Sequence, residues 1–196
     1  PLYSPEDGEN YGKDKGRDNT FLMVNNVKLY GGFDPDNNIK TLDDKRIILD
    51  GKNEAPNGTI LSGDFKNDDI ISGSGKTLEI KNTTENAYHV VTGINKNVIF
   101  LFLDGFTIKG GNANQNSEIN VNAQTVHRDR GAGIYFRSSD SSAILNLKNV
   151  DVTYNYTTAN GGGIYNESSN NSSSEINIKQ SRISNNIGKF GAGIHS

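Results

Sequence analysis

Apolar and polar residues alternate along this chain in short stretches. Leu145, Leu147, Val150 and Val152 are separated by polar residues, and Ile176, Ile178 and Ile183 repeat the pattern further on. A period of two describes a strand with one buried face. The longest apolar run, Val98-Ile-Phe-Leu-Phe-Leu103, reads as a buried strand. Residues 21–24, 27–30, 46–49, 59–61, 78–80 and 89–91 are further strand candidates, whereas 33–42 and 64–76 read as loops. No segment carries the 3.6-residue period of a helix.

The pattern is also periodic on a longer scale. Gly131-Ala-Gly-Ile-Tyr135 returns as Gly161-Gly-Gly-Ile-Tyr165 and as Gly191-Ala-Gly-Ile-His195, each time after 30 residues. Between these copies, residues 145–155 match residues 176–186 at a shift of 31. An earlier, degenerate copy at 102–108 aligns with 146–152 at a shift of 44. The extra length falls in residues 112–130, which are polar and Asn-rich and read as a loop inserted into the repeat.

Parallel strands ordinarily need a crossover of a dozen or more residues, usually a helix. A helix-free repeat of this length avoids that need if each strand pairs with its own equivalent one turn later. The sequence therefore predicts an all-β chain, a right-handed parallel β-helix or solenoid rising ~4.8 Å per coil. At roughly 25–30 residues per coil it allows six to eight coils. The 196 residues form a single domain, with irregular N-terminal coils over 1–111, an inserted loop over 112–130 and regular coils over 131–196. Ile134, Ile164 and Ile194 are expected in one interior column. The glycines before them suit a sharp corner, because Gly adopts positive φ without steric cost. Asn155 and Asn186 follow equivalent strands and are expected to stack as an amide ladder.

Composition adjusts this picture in three ways. Hydrophobic residues make up only 33% of the chain and Gly numbers 22, which suits a thin core and many turns. Cys is absent, which removes disulfides and thiolate chemistry. Twenty basic and 23 acidic residues are mixed along the chain, so there is no basic face for nucleic acid. No apolar run is long enough for a membrane-spanning helix. The chain starts at Pro1 and stops at Ser196 inside a motif that elsewhere runs on, so both ends read as cuts in a longer protein.

Tyr30-Gly-Gly-Phe33, Thr59-Ile-Leu-Ser-Gly-Asp64, His89-Val-Val91, Leu103-Asp-Gly-Phe-Thr-Ile-Lys-Gly-Gly-Asn112 and then the Gly-rich repeat occur in this order. The series resembles the pectin-lyase-like right-handed β-helix proteins exported by bacteria, often by type IX secretion. The repeat half also resembles polymorphic outer-membrane adhesins through Gly161 to Ile164 and Ile183 to Asn186. It departs from them where Val152 or Ile183 replaces the usual aromatic. The resemblance implies a secreted or bacterial cell-surface location and export through a C-terminal signal missing from this chain. For the polysaccharide lyases of this fold it implies a Ca2+ held by clustered carboxylates and a basic residue that abstracts a proton. The nearest such cluster is Asp64, Asp68 and Asp69, which as residues alone reads as a solvated loop.

Other motifs carry less. Asp34-Pro-Asp-Asn-Asn38 resembles the start of a calcium loop, but Ile39 and Lys45 stand where Gly and Glu belong, so a surface turn is expected. His127-Arg-Asp-Arg130 lacks every other part of a kinase site and reads as loop charge. Gly73-Ser-Gly-Lys-Thr77 lacks the spacing of a phosphate loop. His89 and His195 have no second ligand at a metal-binding spacing, so a structural role is expected for both. Sequons at Asn57, Asn82, Asn155, Asn166 and Asn171 follow from the composition. The remaining hint is aromatic. Tyr135 and Tyr165 follow the inward Ile by one residue, so they are expected to point outward, stacked and exposed. There they would either bind sugar rings or a protein, or simply cover a sheet face.

No catalytic, cofactor-binding or metal residue is assigned. The favoured reading is a non-enzymatic adhesin or binding stalk whose partner is a glycan or a host or cell-surface protein. A carbohydrate-active enzyme, lyase or hydrolase, with catalytic residues partly outside this chain and a passive envelope scaffold are the alternatives.

Overall fold

The computed structural model describes residues 15–49, 58–95, 99–139, 141–169 and 172–196. Val98 and the sequons at Asn57 and Asn171 lie outside the described residues. The chain is all-β, with stacked parallel strands and three single-turn 3-10 segments as its helical content among the described residues.

The strands come in a repeating order. β1 (Phe21–Leu22), β2 (Lys28–Tyr30) and β3 (Thr59–Ser62) each begin a different sheet. An antiparallel hairpin follows, β4 (Ile70–Ser72) with β5 (Glu79–Lys81). β6 (Val91–Asn95), β7 (Ile99–Asp104) and β8 (Phe106–Lys109) then pair in parallel with β1, β2 and β3. A short β9 (Asn112–Ala113) leads to a second antiparallel hairpin, β10 (Glu118–Val121) with β11 (Gln124–His127). β12 (Ile134–Ser139), β13 (Ala143–Lys148), β14 (Asp151–Thr153) and β15 (Tyr156–Thr157) make the third pass. β16 (Ile164–Ser169), β17 (Ser174–Lys179) and β18 (Arg182–Ser184) make the fourth, and β19 (Ile194–His195) starts a fifth. The described residues hold four passes and a start, where six to eight coils were expected; the loops and hairpins before β12 take up chain without adding strands to the stack.

Register follows the repeat. Ile134 pairs with Ile164 and Ile164 with Ile194, while Leu145 pairs with Ile176 and Phe102 with Asn146. Inward residues from all three sheets, among them Ile134, Ile164, Leu101, Leu145, Leu147, Ile108 and Val152, form one core cluster. In the last strands burial weakens: Ile194 is 40% exposed against 0% for Ile164, because no strand follows β19 in its sheet.

Corner chemistry explains the abundant Gly and Asn. Gly131, Gly161 and Gly191 all have positive φ, 56–66°. Gly163 answers a different need, since a Cβ there would stand 2.6 Å from the Gly193 carbonyl oxygen. The Asn ladder is present: Asn155 Nδ2 donates to Asn186 Oδ1 at 3.0 Å. The left-handed residue, however, is the one before each Asn, Tyr154 (φ 54°) and Asn185 (φ 52°). Arg46 of the 46–49 candidate forms no strand. Its guanidinium reaches back to the buried Asp104 carboxylate at 3.0 Å and to the Gly31 carbonyl at 2.9 Å.

Candidate functional site

Tyr135 and Tyr165 lie where alternation puts them, on the face of their sheet away from the main core, with ring centroids 5.4 Å apart. The stack is longer than the sequence suggested. His89 packs on Tyr135 at 5.1 Å, and His195 stacks on Tyr165 at 5.7 Å and 7°. The expected exposure is wrong. Tyr135 is 0% and Tyr165 4% exposed, because the hairpin β10–β11 in the segment expected as a loop lies over them. Ile119, Val121 and Val126 of the hairpin join Ile94 and both tyrosines in a second apolar cluster. Arg137 fastens the hairpin through the Thr125 carbonyl at 2.7 Å, and Arg128 fastens its base through both oxygens of Asp18. Burial raises the hydroxyl pKa of both tyrosines. This is a packed aromatic layer, not a free platform.

His89 is structural, as expected. Its Nδ1 lies 3.1 Å from the Gly131 carbonyl oxygen. Burial lowers its pKa to about 4, so the ring is neutral at pH 7 and Nδ1 donates. The His-Arg-Asp-Arg segment is a set of ties: His127 to Glu118, Arg128 to Asp18 and Arg130 to the Tyr165 hydroxyl. Asp34 is consumed within its own turn, accepting from the Asn37 backbone N–H and amide. Of the described sequons, Asn155 and Asn166 are buried and Asn82 is exposed.

The second concentration of chemistry sits where β3 leaves its sheet for β4. Asp64, Asp68 and Glu85 bring carboxylate oxygens within 4.8 Å of one another. Asp64 shapes the loop by accepting the backbone N–H groups of Asp68 (3.2 Å) and Asp69 (3.1 Å). Asp69 stands behind them, its two oxygens 3.0–3.1 Å from the Asn86 amide nitrogen. Burial first, then the charges of Asp64, Glu85 and Asp68, push the Asp69 carboxyl up to about 6 despite the Asn86 hydrogen bond. Asp64 and Asp69 line a shallow pocket with Asn67, Ile71, Lys109, Gly110 and Tyr154.

Sequence reading found Asp64, Asp68 and Asp69 but missed Glu85, Asn86, Lys109 and Tyr154. The last two come from later passes and reach the loop only through register: Gly63 donates to the Lys109 carbonyl, and Gly110 to that of Tyr154. A repeat alignment that tracked which positions stack above Gly63 would have found both.

Comparison with family models, with curated proteins and with solved structures finds no match to this chain.

Proposed function

We propose that this chain is a right-handed parallel β-helix of four coils and the start of a fifth, displayed on or secreted from a bacterial cell, and that it serves as a rigid non-enzymatic binding stalk. The observation that carries this reading is the repeated order of the three parallel sheets around one core. Such a stack keeps its outer side chains at fixed spacing over its whole length, which suits recognition of an extended glycan or a cell-surface protein. With the tyrosine layer covered, the recognition face falls on the sheet of β2, β7, β13 and β17. There Phe100, Phe102, Ile144 and Asn146 are half-buried on the outside. A glycan array and a cell-surface binding assay with the full chain test this. Saturable binding that weakens in Phe102→Ala, with the ligand recovered intact, is the expected result. No binding to either, or binding unaffected by Phe102→Ala, counts against it.

One observation favours a second reading, a carbohydrate-active enzyme. Burial, then the charges of Asp64, Glu85 and Asp68, push the Asp69 carboxyl up to about 6, with Lys109 in the same pocket. Such a carboxyl suits general acid catalysis. Release of new reducing ends or unsaturated products from a polysaccharide, abolished by Asp69→Asn, would replace the stalk reading with this one.

A further inference from the structure

We propose that the Gly16–Asp18 turn is a strap that holds the β10–β11 hairpin shut over the tyrosine layer, and that release of the Asp18–Arg128 pair opens this cover while the stack beneath stays folded.

The hairpin has little of its own to keep it closed. β10 and β11 pair only with each other, and a two-stranded hairpin is marginal in water. Three of its apolar side chains, Ile119, Val121 and Val126, pack with the tyrosines, and Asn122 and Arg137 add a hydrogen bond each between hairpin and sheet. Against this, the turn holds two residues in the left-handed region, Asn122 (φ 52°) and Ala123 (φ 56°), and Ala resists that conformation. Closure also strands polar atoms. His89 Nε2, Arg137 Nε and Glu167 Oε2 are buried on the tyrosine side of the sheet without a hydrogen-bond partner. Water would reach them once the hairpin lifts, so they favour the open state. A closed cover therefore needs a fastening from elsewhere in the chain.

Arg17 and Asp18 supply it, one at each foot of the hairpin. At the returning foot, Arg128 donates to both carboxylate oxygens of Asp18, Nε to Oδ1 at 2.7 Å and Nη2 to Oδ2 at 2.5 Å. This two-pronged, charge-assisted geometry is the strong form of an ion pair, and the side chains are largely shielded from water, at 19% and 25% exposed. At the outgoing foot, the Arg17 guanidinium bonds the Asn112 carbonyl at 2.7 Å and the Asn114 Oδ1 at 2.9 Å. Tyr88 links the two feet. Arg17 lies 4.1 Å and Arg128 5.4 Å from its ring centre, and its hydroxyl donates to Gln115. The strap itself is a single 3-10 turn with no buried residue, and it precedes β1, the edge strand of its sheet. It can therefore leave without breaking the core. Opening would bare Tyr135, Tyr165, Arg137 and Glu167 together, a surface that the closed form withholds from any partner.

Hydrogen exchange of the full chain is the test. Asp18→Asn and Arg128→Gln should each speed exchange of the 118–127 amides by about tenfold or more, and leave the β12 and β16 amides unchanged. Tetranitromethane should then nitrate Tyr135, which is 0% exposed in the closed form, under conditions that spare the wild type. Arg17→Ala, at the other foot, should act in the same direction. Arg182→Gln breaks a similar ion pair, to Asp151 in a different sheet, and should leave the hairpin as it was. Raising the salt to about 1 M should speed hairpin exchange in the wild type but not in Asp18→Asn, because salt screens the pair. Equal hairpin exchange in the wild type, Asp18→Asn and Arg128→Gln overturns the strap. So does a matching rise in β12 and β16, which would make the pair a general stabiliser of the fold. None of these readouts needs a ligand, so the result is independent of the stalk reading.

Discussion

Asn155 shows how much one side chain in this protein has to do. Its Oδ1 accepts the Gly111 N–H, and its Nδ2 faces the Ile108 and Thr153 carbonyls and the Asn186 amide oxygen, all at 3.0–3.1 Å. Asn155→Asp would turn a donor into an acceptor against three oxygens. We expect it to cost more than Asn155→Leu at neutral pH, by at least ~1–3 kcal/mol, measured by urea unfolding of both variants. The ladder was legible in the sequence because a repeated Asn after a strand has few other uses. His89 was only half legible: its isolation pointed to a structural role, but nothing in the sequence shows a ring sealed from water. With its folded pKa depressed to about 4 from 6.5, the unfolded chain takes up the proton first. The contribution of His89 is therefore fully present above pH 6.5 and lost as pH falls from 6.5 towards 4, a loss on the order of 3 kcal/mol. Nearby Asp18, Arg128 and Asp129 modify this less than burial does. The pH dependence of unfolding should flatten over that window in His89→Gln; an unchanged slope would mean that the ring is solvated.

At the scale of elements, the main strands were readable, but of the two hairpins only β5 was, through the candidate at 78–80. Each stack strand repeats a pattern that its neighbours in sequence also carry, so the signal is seen several times. β4 is exposed throughout and pairs only with β5, so no alternation marks it. β10 and β11 sit in an Asn-rich stretch where three apolar residues, Ile119, Val121 and Val126, are the whole signal. Missing that hairpin produced the wrong exposure for Tyr135 and Tyr165. Alternation tells which side of a sheet a residue leaves from, not what lies over that side. Replacing residues 118–127 with a short Gly-Ser turn should therefore uncover a stacked aromatic surface. We expect strong binding of a hydrophobic dye and a lower unfolding midpoint. An unchanged dye signal would show that the hairpin does not seal the layer. A new glycan affinity in that variant would instead give the tyrosines the binding role first read from their spacing.

For the molecule as a whole, stability runs along the stack. Each pass contacts the passes on either side, so a defect is felt most by its neighbours. Ile164 is fully buried between Ile134 and Ile194 in register. Ile164→Asp should abolish amide protection in β16 to β19 while β6 to β8 keep theirs, as read by hydrogen exchange. The milder Ile164→Ala should cost about 2–5 kcal/mol. Uniform loss of protection across all passes would mean that the stack unfolds as one unit. The general architecture was legible because a stacked chain writes its period into its sequence. The acidic cluster was legible only in part, because Asp64 and Glu85 meet through tertiary closure of a loop that obeys no period.

The in-register pairing has a consequence for how such a chain changes its length over generations. Residues 134–163 start at one Ile of the interior column and stop just before the next. A tandem duplication of that segment would add one whole layer, with every Gly corner, Asn ladder position and inward residue back in place. A duplication of half the segment would set strands of one sheet against those of another. Recombination in a gene of this kind is thus filtered by whole layers, and the molecule grows or shrinks in fixed steps of height. A chain carrying residues 134–163 twice should fold, show proportionally more β signal by circular dichroism, and lose no stability.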